Sequence, residues 1–145
     1  MKLHTASEVI SFVRELEGES AKFYEALSRK YAQNSDVFLS FAKENGKNIV
    51  QVERSYYGVI TDALEGCFAF DVETDTYALK TDLVENASYS DALGRAVEIE
   101  EKIIKFYSDA AEQSQTLMAD VPRVFKIIAK KRGNRVAELG SLSQG

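Results

Sequence analysis

One segment of the chain occurs twice, and this repeat constrains the fold more than any other feature of the sequence. The first copy, ELEGESAKFY, ends at Tyr24, and the second, VEIEEKIIKFY, ends at Tyr107. In each copy a glutamate, Glu17 or Glu100, stands seven residues before the tyrosine. Seven residues are two helical turns, so each glutamate lies on the same helix face as its tyrosine. The repeat therefore predicts two helices with equivalent polar positions.

The helix face around each glutamate is otherwise apolar. Its residues are Ile10, Val13, Ala21 and Leu27 in the first copy, and Leu93, Val97, Ile104 and Ala111 in the second. A carboxylate within such a face must be paired, protonated or bound to metal, because burying it alone costs several kcal/mol or more. The pattern predicts a polar centre inside a helical bundle. Exposed boundary positions for Glu17 and Glu100 are the alternative, because further glutamates surround both.

Composition narrows the class of protein. The chain has 145 residues, one proline, no tryptophan and a net charge of -5. This length favours one domain over residues 1–145, and the acidic balance argues against a nucleic-acid partner. Cys67 is the single cysteine, which rules out an internal disulfide or a cysteine-based metal site. No stretch approaches membrane-spanning length, so we expect no membrane partner and a cytoplasmic location.

Capping signals divide the chain into two helix pairs. Capping boxes at residues 5–8 and 88–91 start the first and third helices, and Asp120 starts the fourth. We expect a helix pair at residues 5–61, a crossover at residues 62–87, a second pair at residues 88–140, and a short tail. The crossover is expected to contain a short helix around residues 77–84. Whether the second helix continues through Asn45-Gly46 stays open, since that pair is a turn signal.

The second and fourth helices each have a polar segment on an apolar face. The second contains FAKENGKN, with Asn45 and Asn48 in line with its apolar residues, and the fourth contains IAKKRGNR, with Arg132 and Arg135 in line. The two segments have a glycine at the same place. A duplicated helix pair is the predicted origin of the pattern. Solvated positions for the two arginines are the alternative, because a run of charges usually faces water.

This arrangement resembles the rubrerythrin-related branch of the ferritin-like superfamily. The resemblance implies an all-α, four-helix ferritin-like bundle with a long central crossover between helices two and three. In that family the first and third helices each provide a glutamate followed by aromatic residues, and the second and fourth provide Glu-x-x-His, to hold two iron or manganese ions. The resemblance makes Glu17 and Glu100 residual metal-site positions. The vacated ligand positions are Asn45, Asn48, Arg132 and Arg135.

The replaced ligands change the expected chemistry. An arginine stays protonated, and its repulsion of a divalent ion a few Å away opposes binding by several kcal/mol. We therefore expect no cofactor and no catalytic residues. Arg132 and Arg135 are instead expected to pair with Glu17 and Glu100 in a buried network that the two asparagines complete. Tyr24 and Tyr107, which flank the site, are expected to be core residues with bonded hydroxyls rather than redox groups.

These residues favour a non-enzymatic protein that acts as a binding or structural module, expected to be a homodimer. The alternative is an oxidoreductase or iron-handling protein of the rubrerythrin type. It requires iron or manganese at Glu17 and Glu100, added ligands such as Glu44 or Glu53, and an external electron donor. A third reading is a small-molecule or peptide binder that uses the acidic, aromatic residues 68–89. His4 lacks a second histidine, so no ligand role is expected for it, and the role of Cys67 stays open.

Overall fold

The computed structural model describes residues 1–57, 68–115 and 120–143. Four long helices make up most of this part: α1 (Ala6–Lys30), α2 (Ser35–Tyr57), α3 (Tyr89–Ser114) and α4 (Asp120–Ser143). Two short strands, β1 (Lys2–Thr5) and β2 (Phe68–Glu73), pair antiparallel, and a 3-10 turn follows at Thr74–Tyr77. The expectation of a mostly helical chain with four helices is confirmed. None of the described helices is long and apolar enough to cross a bilayer.

The helix starts follow the capping signals in the sequence. The Thr5 hydroxyl accepts a hydrogen bond from the Glu8 amide at 3.2 Å, and the Glu8 carboxylate accepts one from the Thr5 amide at 3.0 Å. Ser88 and Asp91 form the same reciprocal pair at the start of α3. Because these bonds satisfy amides that a helix leaves unpaired, both predicted capping boxes fix the first turn.

Helix α2 is continuous from Ser35 to Tyr57, so Asn45-Gly46 forms no turn. The Asn45 side chain donates to the Glu17 carbonyl oxygen at 3.1 Å, and it is therefore not available to cap a local turn. The turn between α1 and α2 lies earlier, at Asn34, whose φ of 61° is a conformation that asparagine tolerates well.

The short helix expected around residues 77–84 is wrong. The described part of the expected crossover instead begins with β2, whose Val72 pairs with Leu3 of β1. Its regular structure ends with the 3-10 turn. Residues 78–88 contain no helix or strand. The side chains of Phe70, Val72 and Tyr77 are buried. Burial of side chains, rather than helical hydrogen bonding, therefore holds residues 70–77 on the bundle. The strand β1 was not predicted either.

Two boundaries differ from the sequence prediction or lie beyond the described residues. Helix α4 extends to Ser143 rather than ending near residue 140. The predicted end of the second helix near residue 61, the start of the crossover, and Cys67 lie outside the described residues.

The core forms where the apolar faces of the helices meet. Helix α1 packs mainly on α2, and α3 packs mainly on α4, while α2 and α4 contact each other. The predicted faces of α2 and α4 are fully buried. In contrast, Ala21 of α1 and Val97 and Ile104 of α3 lie half-buried at the edges of the predicted faces of these two helices. Aromatic rings fill the space around the middle of the bundle, with Tyr107 contacting Phe106 and Phe125. This packing surrounds the polar residues at the centre.

Candidate functional site: a buried ionic centre

Six polar side chains from the four helices meet inside the bundle, and none is more than 2% exposed. They are Glu17 of α1, Asn45 and Asn48 of α2, Glu100 of α3, and Arg132 and Arg135 of α4. Exposed positions for the glutamates and arginines, the alternative left open by the sequence, are therefore wrong. We call this set the ionic centre.

Arg132 joins the two glutamates. Its Nη1 donates to Glu100 Oε2 at 2.6 Å, and its Nη2 donates to Glu17 Oε2 in a short hydrogen bond. The same Nη2 lies 3.3 Å from Asn45 Oδ1. Charged hydrogen bonds of this kind are about twice as strong as neutral ones. One guanidinium group therefore holds a carboxylate from each half of the chain.

Arg135 extends the ionic centre to the surface. Its Nη1 donates to Glu100 Oε1 at 3.1 Å, and its Nη2 donates to the Phe41 carbonyl oxygen at 3.0 Å. Both Nε and Nη2 also donate to Glu44 Oε1, at 3.2 and 2.9 Å. The Glu44 side chain is 40% exposed, so the network reaches solvent there. Glu44 was considered only as a metal ligand from sequence, and its pairing with Arg135 was missed.

The two repeated tyrosines each bond the glutamate of the other repeat. The Tyr24 hydroxyl donates to Glu100 Oε1 at 2.7 Å, and the Tyr107 hydroxyl donates to Glu17 Oε1 at 2.6 Å. Asn48 Nδ2 lies 3.4 Å from the same oxygen of Glu17. Both hydroxyls are thus bonded inside the core. Two polar atoms of the ionic centre, Asn48 Oδ1 and Arg132 Nε, have no hydrogen-bond partner in the part of the chain that the structure describes.

The charges of the ionic centre stabilise one another. Burial opposes ionisation of Glu100, but the guanidinium groups of Arg132 and Arg135 outweigh it and lower the pKa of this carboxyl. Burial also opposes the charge of Arg132, yet the Glu17 and Glu100 carboxylates raise its pKa above the ordinary value. Glu100 and Arg132 are therefore both charged at neutral pH.

The tyrosines stay neutral for the same electrostatic reasons. Burial and the adjacent Glu100 carboxylate raise the pKa of Tyr24 well above its ordinary value. Burial and the Glu17 carboxylate do the same to the pKa of Tyr107. Each phenol therefore remains a hydrogen-bond donor to a carboxylate far into the alkaline range.

The ionic centre does not fit a pair of divalent metal ions. All four carboxylate oxygens of Glu17 and Glu100 already accept hydrogen bonds, and the shortest contact of each is with a tyrosine hydroxyl or with Arg132. The guanidinium of Arg132 lies between the two carboxylates, where it repels a cation. In residues 1–57, 68–115 and 120–143, no three His, Cys, Asp or Glu side chains gather as a metal site.

The other residues named from sequence lie away from the ionic centre. Glu53 accepts a hydrogen bond from Arg14 at 2.8 Å on the surface, so it does not turn inward as a ligand. His4 lies in β1, with Nδ1 3.3 Å from the Phe70 carbonyl oxygen.

Comparison of the chain with protein-family models, with curated proteins and with solved structures finds no match. The resemblance to rubrerythrin therefore depends on the residues quoted above and stays a prediction.

Proposed function

We propose that the protein is a non-enzymatic, metal-free bundle of the ferritin-like type, in which side-chain cations replace metal ions and the fold acts as a structural or binding module. One observation carries this proposal: Arg132 donates to Glu17 and to Glu100 at once, with each Nη atom on one carboxylate. A planar guanidinium group suits two carboxylates, as a bridging metal ion does, because it offers several donors in fixed directions. The glutamates thereby have a structural partner and no free coordination positions.

The order of contacts between helices supports ferritin-like connectivity. Tyr24 bonds Glu100 while Glu17 bonds Tyr107, which is the order expected of antiparallel α1 and α3. The four-residue connection between α1 and α2 also favours an antiparallel pair. If α1 opposes both α2 and α3, then α2 and α3 run in the same direction. The end of α2 and the start of α3 would in that case lie at opposite ends of the bundle, as the predicted crossover requires.

The metal-dependent alternative has less support. It requires Arg132 to leave both carboxylates, which exposes two buried anions to each other before any ion binds. Of the two added ligands considered for it, Glu44 is bonded to Arg135 and Glu53 to Arg14. This alternative also needs an external electron donor, and both readings predict a location in the cytoplasm.

Metal analysis of the purified protein tests the proposal. Cells are grown with added iron and manganese, and bound metal is measured by plasma mass spectrometry before and after anaerobic addition of Fe²⁺. We expect well under one metal ion per chain. The matched variant carries Asn45→Glu, Asn48→His, Arg132→Glu and Arg135→His, and we expect it to bind more metal than the wild type. About two ions per wild-type chain would overturn the proposal.

A further inference from the structure

Helix α2 has an exposed apolar stripe on the side opposite the core. Leu39, Val50 and Tyr57 are 50%, 47% and 65% exposed, although they are large apolar or aromatic residues. Gly46 lies between them, and successive members are seven, four and seven residues apart. This is the spacing of a helix seam that contacts another helix. Lys43 and Glu53 complete the seam, and we call these six residues the α2 stripe.

The α2 stripe is complementary to itself in the antiparallel direction. Its six residues form three pairs, and the two residues of each pair lie at equal distances on either side of position 48. When two identical stripes are related by a twofold axis, each residue therefore faces the other member of its pair in the second copy. Leu39 then faces Tyr57, Gly46 faces Val50, and Lys43 faces Glu53 of the second copy. A parallel pair instead places Lys43 against Lys43 and Glu53 against Glu53. Charge complementarity therefore favours the antiparallel arrangement.

From this pattern we propose that the α2 stripe is the interface of a homodimer in which the two α2 helices pack antiparallel. The interface does not involve the ionic centre, so the inference goes beyond the proposed function and does not depend on it.

Gly46 fits this interface and has no evident role within one chain. A Cβ atom added at Gly46 meets no heavy atom of the described residues within 4 Å. Close packing with the described residues therefore does not explain this glycine. A glycine inside an exposed helix also weakens the helix. Opposite Val50 of a second copy, the missing side chain lets the two helices approach closely, as small residues do at other helix contacts.

A shallow groove beside Leu39 provides a place for Tyr57 of the second copy. The groove lies between α1 and α2, has a volume of about 620 Å³, and is lined by Glu25, Ser28, Arg29, Leu39, Ala42 and Lys43. A tyrosine ring packs well on Leu39 and Ala42, with its hydroxyl near polar groups such as Ser28 and Arg29. Tyrosine is also enriched among residues that dominate binding energy, so Tyr57 is the expected anchor.

The size of the α2 stripe sets the expected strength of the dimer. From Leu39 to Tyr57 the helix rises roughly 27 Å. A single helix pair of this length buries less than the roughly 1,600 Å² of a standard interface. We therefore expect a reversible dimer whose population depends on protein concentration in the micromolar range.

Sedimentation velocity over a range of concentrations tests the interface. We expect Val50→Glu to weaken dimerisation at least tenfold, because two new carboxylates meet the partner's apolar residues. Val84→Glu is the matched control: Val84 is 68% exposed outside α2, so the same change there leaves the dimer intact. Circular dichroism checks that both variants fold. A wild type that stays monomeric at several hundred micromolar, or equal effects of the two variants, overturns the proposal.

Charge exchange tests the orientation. Lys43→Glu and Glu53→Lys are each expected to weaken dimerisation severalfold, because each places like charges opposite each other. The double variant restores opposite charges and is expected to recover most of the affinity. Since Glu53 also pairs with Arg14, thermal unfolding of each variant separates interface effects from fold effects. Losses that simply add in the double variant overturn the antiparallel register.

Cross-linking provides a second readout of orientation. In a Cys67→Ser background, Lys43→Cys and Glu53→Cys variants are treated with a short bismaleimide, separately and mixed. Opposed positions meet only in the mixture, while identical cysteines are separated by roughly 15 Å along the helix. We expect cross-linked dimers mainly in the mixture. Efficient cross-linking of either variant alone overturns the antiparallel arrangement.

Discussion

Arg132 is the residue that defines the ionic centre. It is fully buried, and it contacts carboxylates from α1 and α3 through separate nitrogen atoms. A lysine at this position would offer a single ammonium group, which cannot match two carboxylates in a fixed plane. The arginine therefore links helices that contact each other little elsewhere, because α1 and α3 share few direct contacts.

Loss of the Arg132 charge is expected to destabilise the protein strongly. Arg132→Met leaves Glu17 and Glu100 as buried anions with one remaining cation, and removing one partner of a buried pair costs about 3 to 5 kcal/mol. Urea unfolding measures the free energy of unfolding. The matched control is Arg123→Met on the same helix, where the side chain is 71% exposed and no measurable change is expected. Equal stabilities for the two variants would contradict a structural role for the centre.

The free energy of unfolding is expected to fall at both ends of the pH range. The pKa of Glu100 is lowered in the folded state, so its contribution is complete above its unfolded value of about 4.3 and is lost as pH falls. The pKa values of Tyr24 and Tyr107 are raised, so their contribution is complete below about pH 10 and is lost as pH rises. Urea unfolding at intervals from pH 3 to 11.5 measures the profile.

Phenylalanine variants identify the source of the alkaline decrease. The double variant Tyr24→Phe, Tyr107→Phe should be less stable at neutral pH and lose less stability between pH 9 and 11.5. Tyr57→Phe is the control, because that tyrosine is exposed in the single chain. All three proteins are unfolded at concentrations below those of dimerisation, because Tyr57 also belongs to the α2 stripe. Tyr77, whose pKa is raised by burial and by the Asp109 carboxylate, contributes to the slope that remains. An unchanged slope in the double variant would show that these two phenols do not carry the effect.

Sequence reasoning located all six residues of the ionic centre but not all their partners. The helical period placed Glu17 and Glu100 on apolar faces. Burial of Arg132 was predicted in the same way, because this residue is in line with the apolar residues of α4. The tyrosine partners were not predicted, because two helical turns separate Tyr24 from Glu17 by roughly 10 Å along the axis. That distance is too long for a hydrogen bond within one helix. Only the packing of two helices shows that each tyrosine bonds the other glutamate.

At the scale of elements, helices were predictable because their signals are local. Capping residues lie within four positions of the helix they start, and the apolar period continues through each helix. The strands lacked such signals, because β1 has four residues and pairs with a segment about 70 positions away. Short pairings across such a distance depend on the folded core beneath them, where Leu3 and Val72 are buried.

The N-terminal part of α3 has room for a stabilising substitution. A Cβ at Gly94 meets no heavy atom within 4 Å, and the helix is regular there. Alanine is favoured over glycine within a helix by roughly 0.5 to 1 kcal/mol, so Gly94→Ala should raise the free energy of unfolding by that amount. Thermal and urea unfolding measure the change. A destabilised variant would mean that Gly94 contacts something beyond the described residues.

At the scale of the whole molecule, the ionic centre should couple the two helix pairs. Glu17→Met and Arg132→Met should each be strongly destabilising, since each leaves a buried charge unpaired. The double variant keeps the pair of Glu100 with Arg135. Its loss in free energy of unfolding should be smaller than the sum of the two single losses by roughly 2 kcal/mol or more. Urea unfolding of all four proteins gives the coupling.

The same cycle on a surface pair provides the comparison. Arg14 and Glu53 also join different helices, but their side chains are 51% and 26% exposed, so solvent screens the pair and it should show little coupling. Similar coupling at both pairs would mean that burial does not strengthen an ionic link between helices.

The two halves of the chain, α1 with α2 and α3 with α4, carry different buried charges. This difference determines which halves can assemble with each other. Among the described residues, each half supplies one buried glutamate, but both buried arginines come from the second half. Two first halves together would enclose two anions with no counter-ion, and two second halves would enclose an excess of two cations. Only one half of each kind gives an electrically neutral interior. The sequence therefore disfavours misassembly between like halves, even though their helices share the same repeat.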